Sequence, residues 1–138
     1  MLWKLLNGKT IAKNTSKHRI NFDSESLSKE QFRLKQFLKQ YCQSHIIFEE
    51  FTLPRTTLKV DFLNLTQKWA IEHQGVGHFE YNSFFHCGSR MNYLKSIKND
   101  FKKRQILELN GFLVIETTTE DLPLLTHRFF LDKFGINL

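Results

Sequence analysis

Cysteine is scarce in this sequence: Cys42 and Cys87 are the two in 138 residues, with no CxxC spacing. That argues against a disulfide framework or a zinc ribbon and makes a reducing cytoplasm the expected compartment. Long hydrophobic runs are missing too. The opening MLWKLLNGKT is too short and polar for a signal peptide or a membrane span, so no membrane partner is expected. No internal repeat, low-complexity linker, helix-turn-helix or zinc finger stands out. Acidic residues are the minority, 14 against 20 Lys and Arg, for a net charge of +6. A basic balance suits a polyanionic partner, either nucleic acid or a membrane surface. The length and a hydrophobic content of 41% fit one globular domain with a single modest core.

Residues 1–25 read as a basic extension and 26–138 as the domain. Ser28 is a good helix N-cap, with Gln31 three residues on and Leu27 and Phe32 at the staple positions. The helix runs to about residue 43, with Leu34, Phe37, Leu38 and Tyr41 on its core face. Glu30 lies on the edge of that stripe, either as a favourable charge near the helix start or as part of a site. Three strands follow, Ile46–Leu53, Thr57–Leu65 and Lys68–Gln74, joined by short turns as in an antiparallel meander. Residues 75–92 are a long irregular stretch, and such loops often carry function. A second helix spans about 92–110, with Leu94, Ile97, Phe101 and Gln105 approximating one face. FLVIET then suits a buried strand, and Leu122 to Phe134 a last helix with Pro123 in its first turn.

Asp61 and Glu72 each interrupt an apolar strand, and the two strands are neighbours. A buried acid is costly unless something pairs with it. A divalent cation would do so, with Asp61, Glu72 and the backbone carbonyl of His73 as a partial shell and water completing it. The alternative is a solvated sheet face neutralised by Lys59 and Lys68. Gln74 points the same way as Glu72, and Trp69, Ile71 and His73 the other way. Gly75 and Gly77 either let the backbone approach a phosphate or simply make a turn.

Asp61 and Glu72-His73-Gln74 resemble the core of the PD-(D/E)XK nucleases. LKVDFLNLTQKWAIEHQGVGHF and IKNDFKKRQILELNGFLVIE are similar to the Vsr-like branch of that superfamily. The matching positions are Glu30, Asp61, Glu72 with Gly75 and His78, Asp100 with Lys103, and Gly111 through Glu116, over roughly residues 28–117. The resemblance implies an α/β restriction-endonuclease-like αβββαβ core, a central mixed sheet flanked by helices, with an extra C-terminal helix. It implies Mg²⁺ or Mn²⁺ as cofactor and phosphodiester hydrolysis as the chemistry. Glu30, Asp61, Glu72, Gln74, His78, Asp100 and Lys103 are the candidate catalytic residues. Asp61, Glu72 and His73 are the candidate metal ligands.

The sequence departs from the family at Gln74, where the parent motif has lysine and the narrower branch usually aspartate. Lys102, Lys103 or Arg104 can supply the missing cation from the second helix, unless Asp100, Lys103 and Arg104 form only a solvated salt-bridge set. His78 is either a general base or phosphate ligand, or an ordinary loop histidine. Arg90, Lys95, Lys98, Lys102 and Arg104 form a basic cluster suited to a nucleic-acid backbone. The expected function is a metal-dependent DNA endonuclease acting on branched, nicked or mismatched duplex, a junction resolvase or a Vsr-like nickase. A homodimer in the cytoplasm of a bacterial or phage-infected cell is the expected setting. The rivals are a non-catalytic nucleic-acid-binding or assembly subunit and an RNA-cleaving enzyme.

Overall fold

The structure, a computed structural model, describes residues 1–13, 15, 18–75 and 90–138. Gly77, His78 and Cys87 lie outside the described residues, as does the Arg90 side chain. Strands β1 (Leu2–Lys4) and β2 (Thr10–Ala12) form an antiparallel hairpin. Helix α1 (Lys29–Cys42) begins at Ser28, whose hydroxyl accepts the Gln31 N–H at 3.1 Å. Strands β3 (Ile47–Thr52), β4 (Lys59–Asn64) and β5 (Trp69–Gln74) make the expected antiparallel meander. Helix α2 (Arg90–Leu109) crosses over to β6 (Leu113–Thr118), which runs parallel to β5. A 3-10 turn (Thr119–Leu124) and helix α3 (His127–Phe134) follow. The protein is therefore mixed α/β, with a four-stranded mixed sheet in the order β3-β4-β5-β6.

The sheet has a core on each face. Leu34, Phe37 and Leu38 of α1 bury against Phe62, Ile71 and Ile115, joined by Phe130 of α3. Ile106 and Leu107 of α2 bury against Phe48, Leu63 and Ala70 on the other face. Each such side chain contributes about 1.5–3 kcal/mol when fully buried. The N-terminal segment belongs to this second core. Trp3 is completely buried, stacked between Phe51 and Phe112 at centroid distances of 5.3 and 5.7 Å. No helix among the described residues is long and apolar enough to cross a membrane.

Several expected details differ. Leu27 is largely exposed, so the staple does not close, and the Gln31 side chain turns to the acids of β3 instead of back to the helix start. On α2, Leu94, Ile97 and Phe101 are exposed, while Ile106 and Leu107 are buried. The helix packs through its C-terminal end, and the periodicity of its first half marks a surface stripe. FLVIET forms an edge strand, with Leu113 and Glu116 exposed. The last helix is two pieces. Leu125 is extended, and Thr126 opens α3 by accepting the Phe129 N–H at 3.0 Å.

Candidate active site

The register of the sheet lines up four acids. β3 and β4 pair Glu49 with Phe62 and Phe51 with Val60, so Glu50 lies opposite Asp61. The β4–β5 ladder ends at Phe62 and Ile71, and Asp61 and Glu72 occupy the next step. Glu72 in turn faces Glu116 of β6. A row Glu50–Asp61–Glu72–Glu116 thus crosses all four strands.

The row sits at a bend. Phe62 belongs to the core under α1, while Val60, two residues away, belongs to the core under α2. A regular strand would keep both on one face. The same exchange occurs in β3, where Glu49 pairs with Lys35 of α1 but Phe51 joins the α2-side core. Glu50 holds φ 54 at the switch. A side chain in that left-handed region costs on the order of 1 kcal/mol or more, so the surroundings must enforce it. Beyond the bend, the Asp61 carboxylate replaces a backbone carbonyl as partner of β5: its Oδ2 accepts the His73 N–H at 2.8 Å.

Charge is concentrated here with little water. Burial raises the Asp61 carboxyl above its usual range, against the pull of the His73 N–H and of Lys103. Burial, and then the charge of Asp61, pushes Glu72 up to about 8, again opposed by Lys103. The Lys103 ammonium lies 2.9 Å from Glu72 Oε1. Among the described residues this ammonium is the countercharge of that buried oxygen. Arg104 reaches Glu116 at 3.3 Å. Two successive residues of α2 therefore serve two successive acids of the row, and they do not form an isolated salt-bridge set with Asp100. Asp100 is exposed, and its charge adds to the upward pressure on Glu72.

A second cluster lies on the α1 side of β5. The Glu30 Oε1 accepts from His73 Nε2 at 2.8 Å and from the Thr119 hydroxyl at 2.7 Å. The His73 bond and then the Thr119 bond hold the Glu30 carboxyl below its usual range. An ionised carboxylate only accepts, so Nε2 carries the hydrogen. Nδ1 lies 2.8 Å from the Thr117 hydroxyl. Glu30 is thus joined to Asp61 through one residue, by the ring and then the backbone N–H of His73.

The structure brings Asp61, Glu72, Lys103 and the His73 backbone together and places Glu30 behind them. Gln74 is buried beside Glu72 along β5, and its amide oxygen has no hydrogen-bond partner among the described residues. Lys95, Lys98 and Lys102 are exposed and in no ion pair among the described residues. Among those residues no three His, Cys, Asp or Glu side chains converge as a metal cluster. Asp61, Glu72 and the His73 carbonyl would be the protein's share of a shell for a hard cation such as magnesium, which keeps several waters. Desolvated carboxyls on neighbouring strands, and a buried Gln74 amide oxygen without a hydrogen-bond partner among the described residues, fit a hard cation on chemical grounds.

Sequence reasoning missed Glu50, Gln31, Thr117 and Thr119. Gln31 donates to Glu49 and Glu50, at 3.1 and 2.9 Å. The Glu50 signal was present, because IIFEEFTL breaks an apolar strand with acids as openly as the other two strands do. The threonines carry no such signal.

No family model matches the chain, and no solved structure matches it. It is similar to "Uncharacterized protein 094L" of Frog virus 3 (isolate Goorha), 37% identical over 67 residues. The match covers 47% of this chain and 43% of the viral protein, so the chain spans less than half of that relative's length.

Proposed function

We propose that the protein is a metal-dependent endonuclease of the PD-(D/E)XK type, acting on DNA. The observation that carries this reading is the pair of half-buried carboxyls, Asp61 and Glu72, at the point where β4 and β5 part, with Lys103 against them. Asp61, Glu72 and the His73 carbonyl would hold the cation. A bound Mg²⁺ or Mn²⁺ supplies Lewis acidity toward a phosphate oxygen and makes a coordinated water more acidic.

The chain's own residues do the rest. The His73 N–H fixes one Asp61 oxygen. Glu30 and Thr117 fix the His73 ring, and the Thr119 hydroxyl fixes Glu30. Lys103 replaces the strand lysine missing at residue 74 and stabilises charge at the phosphate. The exposed Lys95, Lys98 and Lys102 hold the nucleic-acid backbone by charge, so affinity is strongly salt-dependent. Branched, nicked or mismatched duplex suits a chain without a base-reading motif. A homodimer working in a reducing compartment completes the reading, in keeping with the buried free thiol of Cys42.

A second reading, a catalytically silent nucleic-acid-binding subunit, is favoured by Gln74, which carries no charge where the family has lysine. Cleavage of supercoiled plasmid and of a four-way junction separates the two. The endonuclease reading expects EDTA-sensitive cutting with Mg²⁺ or Mn²⁺. It also expects a loss on the order of 10³-fold in Asp61→Ala and Glu72→Ala, with DNA binding retained. Full activity in either variant removes the metal assignment. DNA binding without cutting by the wild type leaves the second reading.

A further inference from the structure

Beside the face of α2 that carries Lys103 lies a cleft of about 430 Å³ between the N-terminal hairpin and the β3–β4 connection. Lys9, Arg55 and Lys102 reach it from three separate segments, and Leu6, Ile11 and Ile106 form an apolar wall. Among the described residues no acid lines the cleft, and none of the three cations has an ion pair. The fold assembles it deliberately. Trp3 anchors the hairpin in the core, and the Asn110 side chain bonds both backbone groups of Lys4, at 2.7 and 3.0 Å. Arg55 holds φ 60, a conformation that costs a residue with a side chain on the order of 1 kcal/mol or more. Like charges gathered this way repel one another until a polyanion neutralises them.

We infer that this cleft binds an unpaired nucleotide, with its phosphate on the Lys9–Arg55–Lys102 rim and its base against the Leu6–Ile11–Ile106 wall. The volume falls in the range of small-ligand sites, about 300–1,000 Å³. Cations that track the backbone beside an apolar surface for the base are the general means of holding single strands, and every base has an apolar face to offer. A base in intact duplex is stacked and paired, so an overhang, flap or branch point must supply it. Lys102 and Lys103 are adjacent on α2, so one strand can pass from the cleft to Glu72. The strand's path rests on the endonuclease reading, whereas the binding does not.

The test is fluorescence anisotropy of the full chain in EDTA, where no metal-dependent cutting occurs. The probes are a fluorescein-labelled blunt duplex, the same duplex with a single-stranded overhang, and that overhang made abasic. The wild type should bind the overhang at least about fivefold tighter than the blunt end, and the abasic overhang should lose that preference. Lys9→Glu/Arg55→Glu should weaken overhang binding about tenfold and blunt-end binding less than about threefold, with an unchanged thermal melt. Equal binding of blunt and overhang probes, an abasic overhang as good as the intact one, or parallel loss in the variant overturns the inference. A parallel Mn²⁺ cleavage assay keeps the two readings apart. Overhang preference without cutting upholds the cleft and removes the nuclease. Cutting without overhang preference does the reverse.

Discussion

Glu72 and Asp61 are held at a cost that only their setting explains. Each carboxyl is half-buried and desolvated, the charge of Asp61 raises the proton affinity of Glu72, and Lys103 offsets part of this. The consequence for stability has a definite sign. Glu72 titrates at about 8 in the folded chain, against roughly 4.3 for an ordinary glutamate. Between those values the folded chain keeps a proton that the unfolded chain has released. Metal-free stability therefore falls as pH rises from about 5 to 8 and levels off above, by an amount on the order of a few kcal/mol. Glu72→Gln removes that term. Thermal melts in EDTA from pH 5 to 9 should show a melting temperature that declines in the wild type and declines less in the variant. Equal slopes would place the titrating group elsewhere.

At the scale of elements, the N-terminal hairpin matters as much as the sheet. Trp3 fills the space between Phe51 and Phe112, and its removal leaves a cavity that a three-residue strand cannot close. Trp3→Ala should destabilise the chain by about 3–5 kcal/mol in urea unfolding. A loss under about 1 kcal/mol would mean that the hairpin is an ornament. This docking was illegible in the sequence, because its partners lie 48 and 109 positions away and MLWKLL carries no period that points to them. Helix α1 and the meander were legible because their signals are local: the Ser28 cap, the Leu34–Phe37–Leu38 stripe, and alternating strands joined by short turns. The stripe on α2 was misleading, since Leu94, Ile97 and Phe101 have the spacing of a core face and remain exposed. Of the site, Asp61, Glu72 and Lys103 were readable as charges out of place in apolar surroundings or as motif matches. The bend that turns Glu50 and Asp61 out of the regular ladder was not, because it depends on two strands switching faces together.

Across the whole molecule, charge is divided in a way that suits a polyanion approaching an acidic centre. A row of acids would repel a phosphodiester. The net charge of +6 and the exposed lysines along α2 oppose that repulsion, and Lys103 and Arg104 pair with two acids of the row. One helix thus carries both the countercharges of the site and the basic surface beside it. The claim on which this account rests is that Asp61 and Glu72 together bind a divalent cation. A crystal of the wild-type protein soaked in Mn²⁺ tests it most directly, through anomalous scattering at the manganese edge. A peak is expected between the two carboxyls, with the Lys103 ammonium displaced from Glu72, and no peak there in Asp61→Asn. A soaked crystal with no peak at that point, and Lys103 still against Glu72, would contradict it.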